Sequence, residues 1–343
     1  MRRALFFGGV GVVVVAATVL VARGKVKSAL APPAPGDRTP HYVLIPPKSS
    51  VAGIARQLRR ENLIRDGRAF QLAARYLELD HRLQAGGYRL TRAEGAVPIL
   101  RKLAAGKVYV RKLTLPEGLT VREVAERLER GGFGRAATFR ALATGTQRLE
   151  TRPAWAPAGS LEGYLFPETY QVPLGVSEAE LLGRLLTRFG QVVVAGQAKQ
   201  LKAQPLTLHE VVTLASIVER EAKLPREQPL MARVFLNRLR LGMELESCAT
   251  VQYALPHRKA RLLYRDLEVQ SPYNTYLHAG LPPGPIASPG GSALAAVLKP
   301  AQTSALYFVA RPEGSHVFSQ TFAEHEAAKA ALRRAAQQTP PPA

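Results

Sequence analysis

Two acidic side chains, Glu219 and Glu221, flank Arg220 near the end of a segment with helical periodicity. On a helical wheel both carboxylates fall on borders of an apolar stripe, while Arg220 points away from it. The stripe is formed by Val211, Leu214, Ala215, Val218 and Ala222. A carboxyl at such a border can be half-buried, and burial raises its pKa toward the range that a general acid needs. Periodicity does not separate Glu219 from Glu221, and it favours the simpler interpretation, two surface carboxylates that balance Arg220 and Lys223.

Other catalytic chemistries find less support in the residue pattern. The seven histidines show no HExxH or other paired spacing, so the sequence predicts no metal site. It contains no GxSxG elbow and no P-loop. The single cysteine, Cys248, cannot form an intramolecular disulfide, and a small buried side chain is a simpler role for it than a nucleophile.

The chain is strongly basic, with 47 Lys plus Arg against 26 Asp plus Glu and a formal charge of +21. Such an excess favours an anionic partner, whether nucleic acid, acidic lipid or an acidic wall polymer, and does not choose between them. Solvated helix faces account for many of these charges. Aromatic residues make up 7% of the chain and do not interleave the basic stretches, so we expect no nucleic-acid partner.

The segment carrying Glu219 has clear helix boundaries. Thr207 and Glu210 have the spacing of a capping box at its start, and Pro225 breaks it after Lys223. The remaining predicted elements are a capped helix after Ser177, a helix over residues 228–241, a site-forming surface over residues 248–289, a hairpin of residues 306–310 with 316–318, and a helix over residues 324–336.

A short repeat precedes these elements. Residues 45–58 and 115–128 match at an offset of 70, and each pattern predicts a strand, a turn and an amphipathic helix capped by Ser50 or Thr120. A strand and helix used twice suit a small α+β module such as LysM, which binds the glycan of peptidoglycan. Any small βα repeat would give the same pattern.

An uncharged run of 18 residues, 5–22, lies between basic residues at the start of the chain. At about 1.5 Å per residue it would span roughly 27 Å, close to the thickness of a bilayer core. A cleaved signal peptide with a cleavage site near residues 29–31 is the alternative, although its apolar stretch is usually shorter. We expect an uncleaved anchor followed by a Pro-rich, extended tether, with the bulk of the chain on the outer side of the membrane.

The sequence therefore predicts an α+β protein with an N-terminal transmembrane helix, a LysM-like module and a C-terminal α+β catalytic domain. The predicted divisions are an anchor over residues 1–28, a tether over 29–40, a LysM-like region over 41–135, a catalytic domain over 136–338 and a loose tail over 339–343.

Six segments in a fixed order resemble the endolytic murein transglycosylases of the MltG/YceG family over nearly the whole chain. They are LEGYLFPETY at residues 161–170, LASIVEREA at 214–222, VFLNRL at 234–239, YNTYLHAGLPPGPIASPG at 273–290, LKPAQTSALYFVA at 298–310, and the ending from His316 to His325. One departure is Cys248-Ala249, where many members have Asp-Pro before the same Thr-Val.

The resemblance implies a mechanism with Glu219 as the single acid and base, with Glu221 as the second choice. It implies no metal and no organic cofactor. We expect further residues to bind the substrate, either because the resemblance implies it or because of their chemistry. They are Glu162, Tyr273, Asn274, Thr275, Tyr276 and His316.

The resemblance also implies a place and partners. We expect a single-pass protein of the bacterial cytoplasmic membrane that trims nascent peptidoglycan strands beside penicillin-binding synthases. One alternative is a non-catalytic, membrane-tethered wall-binding protein. Another is a membrane-tethered nucleic-acid binder, for which the positive charge is the only support.

Overall fold

The computed structural model describes residues 23–338, which form two compact units. The first unit holds the described residues up to Lys112 together with Gln171–Val176, and the second holds Leu113–Tyr170 and the chain from Ser177. The predicted anchor at 5–22 and the tail at 339–343 lie outside the described residues. Among the residues described, no helix has the length and apolar character needed to cross a membrane.

The first unit is built on an antiparallel strand pair covered by helices. Strand β1 (His41–Ile45) pairs with β2 (Gly86–Leu90), so that His41 lies opposite Leu90 and Ile45 opposite Gly86. Apolar side chains of both strands and of three helices fill one core, which includes Ile54, Phe70 and Leu100. Its elements are α1 (residues 23–30), β1 (His41–Ile45), α2 (Val51–Arg60), α3 (Gly67–Tyr76), β2 (Gly86–Leu90) and α4 (Ala96–Ala104).

The Pro-rich segment that follows α1 is bound to the first unit. Leu30 packs against its core. The amide of Ala34 donates to the Arg92 carbonyl at 3.2 Å, and Arg65 Nε donates to the Pro32 carbonyl at 2.9 Å. The segment predicted as a Pro-rich tether over residues 29–40 thus contacts the first unit through Leu30, Pro32 and Ala34, which composition alone did not reveal.

The second unit is mostly helical. Its central helix is buried on every side from Val211 to Val218, so the predicted one-sided apolar stripe understates its burial. Three helices that follow it in the chain, Gln228–Arg240, Cys248–Ala254 and Gly291–Leu298, pack against it. The helices are α5 (Val121–Arg130), α6 (Ala136–Ala143), α7 (Glu178–Phe189), α8 (Ala198–Lys202), α9 (Leu208–Glu221), α10 (Gln228–Arg240), α11 (Cys248–Ala254), α12 (Gly291–Leu298) and α13 (Phe322–Gln338).

Two further strand pairs complete the structure. Strand β3 (Val110–Thr114) pairs with β4 (Thr169–Pro173). The predicted hairpin is confirmed, since β5 (Tyr307–Ala310) is antiparallel to β6 (His316–Ser319). The mixed α+β class is confirmed as well.

Helix starts follow the sequence closely. Thr120, Ser177 and Thr207 each close a complete capping box with the glutamate three residues later. Ser50 caps α2 by accepting a hydrogen bond from the Gly53 amide at 3.1 Å. The two repeated segments therefore both form capped helices, but α2 belongs to the first unit and α5 to the second. The limits predicted for the LysM-like region, 41–135, do not coincide with those of either unit.

Candidate active site

Glu219 lies in the last turn of α9, where the helix leaves the core. Its side chain is half-buried, and its Oε2 accepts a hydrogen bond from the Gly290 amide at 3.0 Å. Within the described part of the chain, Oε1 has no hydrogen-bond partner. Burial raises the pKa of Glu219, and the nearby Glu117 carboxylate raises it further. A protonated carboxyl with one free oxygen is what a general acid requires.

The loop before α5 and the segment before α12 form the wall beside Glu219. The Gly118 amide donates to the Ser288 carbonyl, and the Ser288 amide donates to the Leu119 carbonyl, both at 2.8 Å. A guanidinium nitrogen of Arg220 donates to the Gly118 carbonyl at 2.9 Å. A Cβ at Gly290 would come within 1.9 Å of a Glu117 carboxylate oxygen, so a larger residue there would require the Glu117 side chain to move.

Glu221 has a different environment, although it lies only two residues further along α9. Its Oε1 accepts hydrogen bonds from the Ser247 hydroxyl at 2.5 Å and the Ala249 amide at 3.0 Å. These bonds hold the turn that starts α11. The structure therefore separates two carboxylates that helical periodicity left equivalent, because Glu221 accepts two hydrogen bonds from the start of α11, whereas Glu219 accepts one, from Gly290.

A cavity of about 280 Å³ adjoins this region, and both Arg220 and Glu162 line it. Glu162 is buried, and both of its carboxylate oxygens lie within 3.1 Å of the Val121 amide at the first turn of α5. Desolvation raises the pKa of Glu162 to about 7, against the opposing hydrogen bonds from the Val121 and Gly163 amides. Glu162 thus combines a structural role at a helix start with a carboxyl that titrates near neutral pH.

Tyr253 is a cavity residue that the sequence did not reveal. Its hydroxyl lies 3.5 Å from Glu162 Oε2, and its ring centre lies 4.9 Å from that of Tyr273. Tyr253, Gln252 and Ala249 line the cavity with the spacing of one helix face. The sequence predicted a site-forming surface over residues 248–289 but no helix within it, because α11 is short and lies among turn-forming residues.

Two residues of the YNTY motif are buried and hold its loop together. The Asn274 side-chain amide donates to the carbonyls of Leu267 and Val269 at 2.8 and 2.9 Å. The Thr275 hydroxyl accepts a hydrogen bond from the Ser247 amide at 3.0 Å. We therefore assign these two side chains to positioning of the loop rather than to contact with a ligand.

The tyrosines at either end of the motif are partly exposed. Tyr273 is linked to the cavity through Tyr253. Tyr276 Oη lies 3.2 Å from the sulfur of Cys248, which is exposed rather than buried as its residue type had suggested. The Cys248-Ala249 departure from the family pattern thus lies at the start of α11, beside Glu221.

His316 is buried away from the residues that line the cavity. Its Nδ1 lies 2.7 Å from Glu227 Oε2, and its ring packs edge-on against Phe308 at 5.6 Å. The structure therefore does not bring His316 together with Glu219 or Glu162. Within residues 23–338, no three His, Cys, Asp or Glu side chains form a set that could hold a metal ion.

The chain belongs to the YceG-like family, because the model of that family matches residues 43–331. It is 33% identical to the endolytic murein transglycosylase of Bacillus subtilis strain 168 over 88% of each chain. It is 28% identical to the endolytic murein transglycosylase of Streptococcus pneumoniae strain D39, over 82% of this chain but only 56% of that relative. A solved structure of a YceG-like protein from Listeria monocytogenes is similar, with a TM-score of 0.56 and 32% identity over 84% of this chain and 99% of that one.

Proposed function

We propose that the chain is an endolytic lytic transglycosylase, a lyase that cleaves peptidoglycan strands between N-acetylmuramic acid and N-acetylglucosamine. The observation that carries the proposal is Glu219, a half-buried carboxyl with a raised pKa and one free oxygen at the end of α9. Membership of the YceG-like family and the names of the Bacillus and Streptococcus relatives support the same activity.

In the proposed reaction, protonated Glu219 gives its proton to the glycosidic oxygen as the bond to N-acetylglucosamine breaks. The resulting carboxylate then takes the proton from the 6-hydroxyl of the muramic acid. That oxygen bonds to the anomeric carbon and closes a 1,6-anhydro ring, so no water is consumed. One carboxyl serves as acid and then as base, whereas glycoside hydrolases use two.

The environment of Glu219 suits this sequence of steps. Desolvation favours the neutral carboxyl before the reaction, and the Gly290 amide stabilises the carboxylate that forms during it. Because the acid must be protonated, the rate should fall as the pH rises through the raised pKa of Glu219.

The location and the wider role are part of the proposal. The uncharged run at residues 5–22 supports a single membrane anchor, with the described residues on the outer side of the cytoplasmic membrane. The order β1, α2, α3, β2 in the first unit supports a LysM-like glycan-binding module. Such a protein would end the growth of nascent strands close to the membrane, beside penicillin-binding synthases.

The direct test compares Glu219→Gln with Glu221→Gln in the full chain, solubilised in detergent and acting on purified peptidoglycan. Loss of a general acid should lower the rate of cleavage by about a thousandfold in Glu219→Gln. Glu221→Gln should act mainly on stability, because its carboxylate holds the start of α11. Full cleavage by Glu219→Gln would reject the assignment. A folded wild-type protein that binds glycan without cutting it would favour the wall-binding alternative.

A further inference from the structure

Four arginines from four separate segments line the cavity next to Glu219. Arg122 lies on α5, Arg140 on α6, Arg220 on α9 and Arg258 after α11. Among the described residues, none of the four forms a salt bridge with a carboxylate. The hydrogen bonds of their guanidiniums go to backbone carbonyls, from Arg122 to Pro256 and from Arg220 to Gly118.

The two acidic residues of the cavity do not neutralise this charge. Glu123 uses its Oε2 in the capping box of Thr120, accepting from the Thr120 amide at 2.8 Å and the hydroxyl at 3.0 Å. Glu162 is turned to the Val121 amide, and its raised pKa leaves it partly neutral near pH 7. The cavity therefore has an excess of positive charge.

The arginines also repel one another. Burial lowers the pKa of Arg220 and the positive charge of Arg258 lowers it further, while the carboxylates of Glu123, Glu221 and Glu219 act in the opposite direction without cancelling the shift. A bound anion would relieve both effects, since it would replace lost hydration and screen the two guanidiniums from each other. A planar carboxylate matches the fork of a guanidinium, which makes carboxylates a suitable ligand class.

The proposed substrate offers such a carboxylate in one place. The N-acetylated sugars of a peptidoglycan strand are neutral, whereas the peptide stem carried by each muramic acid has free carboxylates. The cavity volume of about 280 Å³ lies just below the range for whole small-molecule ligands, which fits one end group rather than an entire stem. Arg220 lies beside Glu219 in the chain, so an anchored stem would be close to the acid that cuts the strand.

We propose that this arginine cavity binds a carboxylate of the peptide stem and makes the enzyme selective for strands that carry stems. The inference rests on the proposed transglycosylase function. It adds a determinant of substrate choice that is separate from the reacting carboxyl.

The test uses the double variant Arg140→Gln with Arg258→Gln in the full chain. Both side chains are exposed, and no hydrogen bond within residues 23–338 holds either guanidinium, so the fold should not change. Arg184→Gln is the matched control, since Arg184 is an exposed arginine of the same unit outside the cavity lining. Each protein is assayed for kcat/KM on soluble glycan strands with stems and on the same strands stripped of stems by an amidase, with the lactyl carboxylate that the amidase exposes converted to a neutral amide.

The wild type and Arg184→Gln should cut stem-bearing strands about tenfold faster than stripped strands, as expected for a charge-assisted contact. The double variant should lose this preference and keep the wild-type rate on stripped strands. Higher salt should reduce the preference of the wild type.

Equal wild-type rates on both substrates would overturn the inference while leaving the transglycosylase activity intact. An equal loss on both substrates in the double variant would also overturn it. If the double variant instead lost activity only on strands that end in a lipid pyrophosphate, whether or not they carry stems, the cavity would be assigned to phosphate binding and the inference would fail. No anhydro products from either substrate would reject the proposed function itself.

Discussion

The two units bury different kinds of side chain. Among the described residues, the fully buried side chains of the first unit are apolar, apart from Tyr88, whose hydroxyl donates to the Gln84 carbonyl at 2.8 Å. Every other buried polar or charged side chain lies in the second unit, including Glu162, Glu227 and Arg238.

This difference leaves the buried groups that are suited to chemistry in the second unit. An apolar core is stable without paired polar groups, and it contains no buried carboxyl whose pKa could be shifted. Buried carboxyls cost stability unless they are hydrogen-bonded, and the same burial shifts their pKa toward the range needed for catalysis. In the second unit, the burial of Glu162 and the half-burial of Glu219 have this cost in stability and also raise the pKa of both carboxyls.

The largest effect on stability should come from matched core substitutions in the two repeated segments. Leu58→Ala and Leu128→Ala each remove a fully buried side chain and should each cost about 4 kcal/mol, through lost burial and a cavity. Urea unfolding measures both, by circular dichroism for Leu58→Ala and by fluorescence of Trp155, which lies in the second unit, for Leu128→Ala. A cost below about 1 kcal/mol for either would contradict the common role of the repeats.

The pH dependence of stability should trace largely to Glu162. Its pKa rises from 4.5 to about 7 in the folded chain, so its contribution is fully present below pH 4.5 and is lost as the pH rises through 7. The loss should amount to about 3 kcal/mol. Glu162→Gln can keep the bond from the Val121 amide and should flatten stability over this interval. An unchanged pH profile of urea unfolding in this variant would argue against a buried, neutral Glu162.

A smaller effect should distinguish buried from exposed histidine pairs. His316→Leu leaves the Glu227 carboxylate buried with fewer partners and should cost about 2 kcal/mol. The control is His81→Leu in the first unit, where the His81–Asp80 pair is largely exposed and should contribute less than about 0.5 kcal/mol. Equal losses of unfolding free energy in His316→Leu and His81→Leu, measured by thermal unfolding, would contradict this difference between the units. His316→Leu should also keep the wild-type preference between glycan substrates, because His316 does not line the cavity.

The smallest effect concerns the helix caps of the repeat. Thr120→Ala removes the bond from the Glu123 amide to the Thr120 hydroxyl and the bond from that hydroxyl to Glu123 Oε2, and should cost about 1 kcal/mol or slightly more. Ser50→Ala removes a single capping bond, since position 53 is glycine, and should cost about half as much. Chemical denaturation of the two variants compares them directly, and the reverse order would contradict the assignment.

The sequence was sufficient for elements that depend on local patterns. Capping boxes at Thr120, Ser177 and Thr207 and the hairpin around residues 306–318 were predicted and are present. These features depend on residues three or four apart, or on one turn, so a single sequence contains the information. The resemblance also supplied the family and pointed to Glu219.

Features that depend on distant contacts could not be predicted. Glu219 and Glu221 differ because Gly290 and Ser247 lie near them in space, 71 and 26 residues away in the chain. The binding of the Pro-rich segment to the first unit depends on Arg65 and Arg92 in the same way. The arginine cavity draws on four separate segments, and no spacing in the sequence connects them.

The central claim is that the strand is cut by its own 6-hydroxyl, with Glu219 as the only acid and base. The most direct measurement is mass spectrometry of glycan fragments released by the full chain in water enriched in heavy oxygen. The account predicts fragments that end in 1,6-anhydro-muramic acid and carry no heavy oxygen. Reducing ends that contain heavy oxygen would contradict it, because they would require attack by water and a second carboxylate.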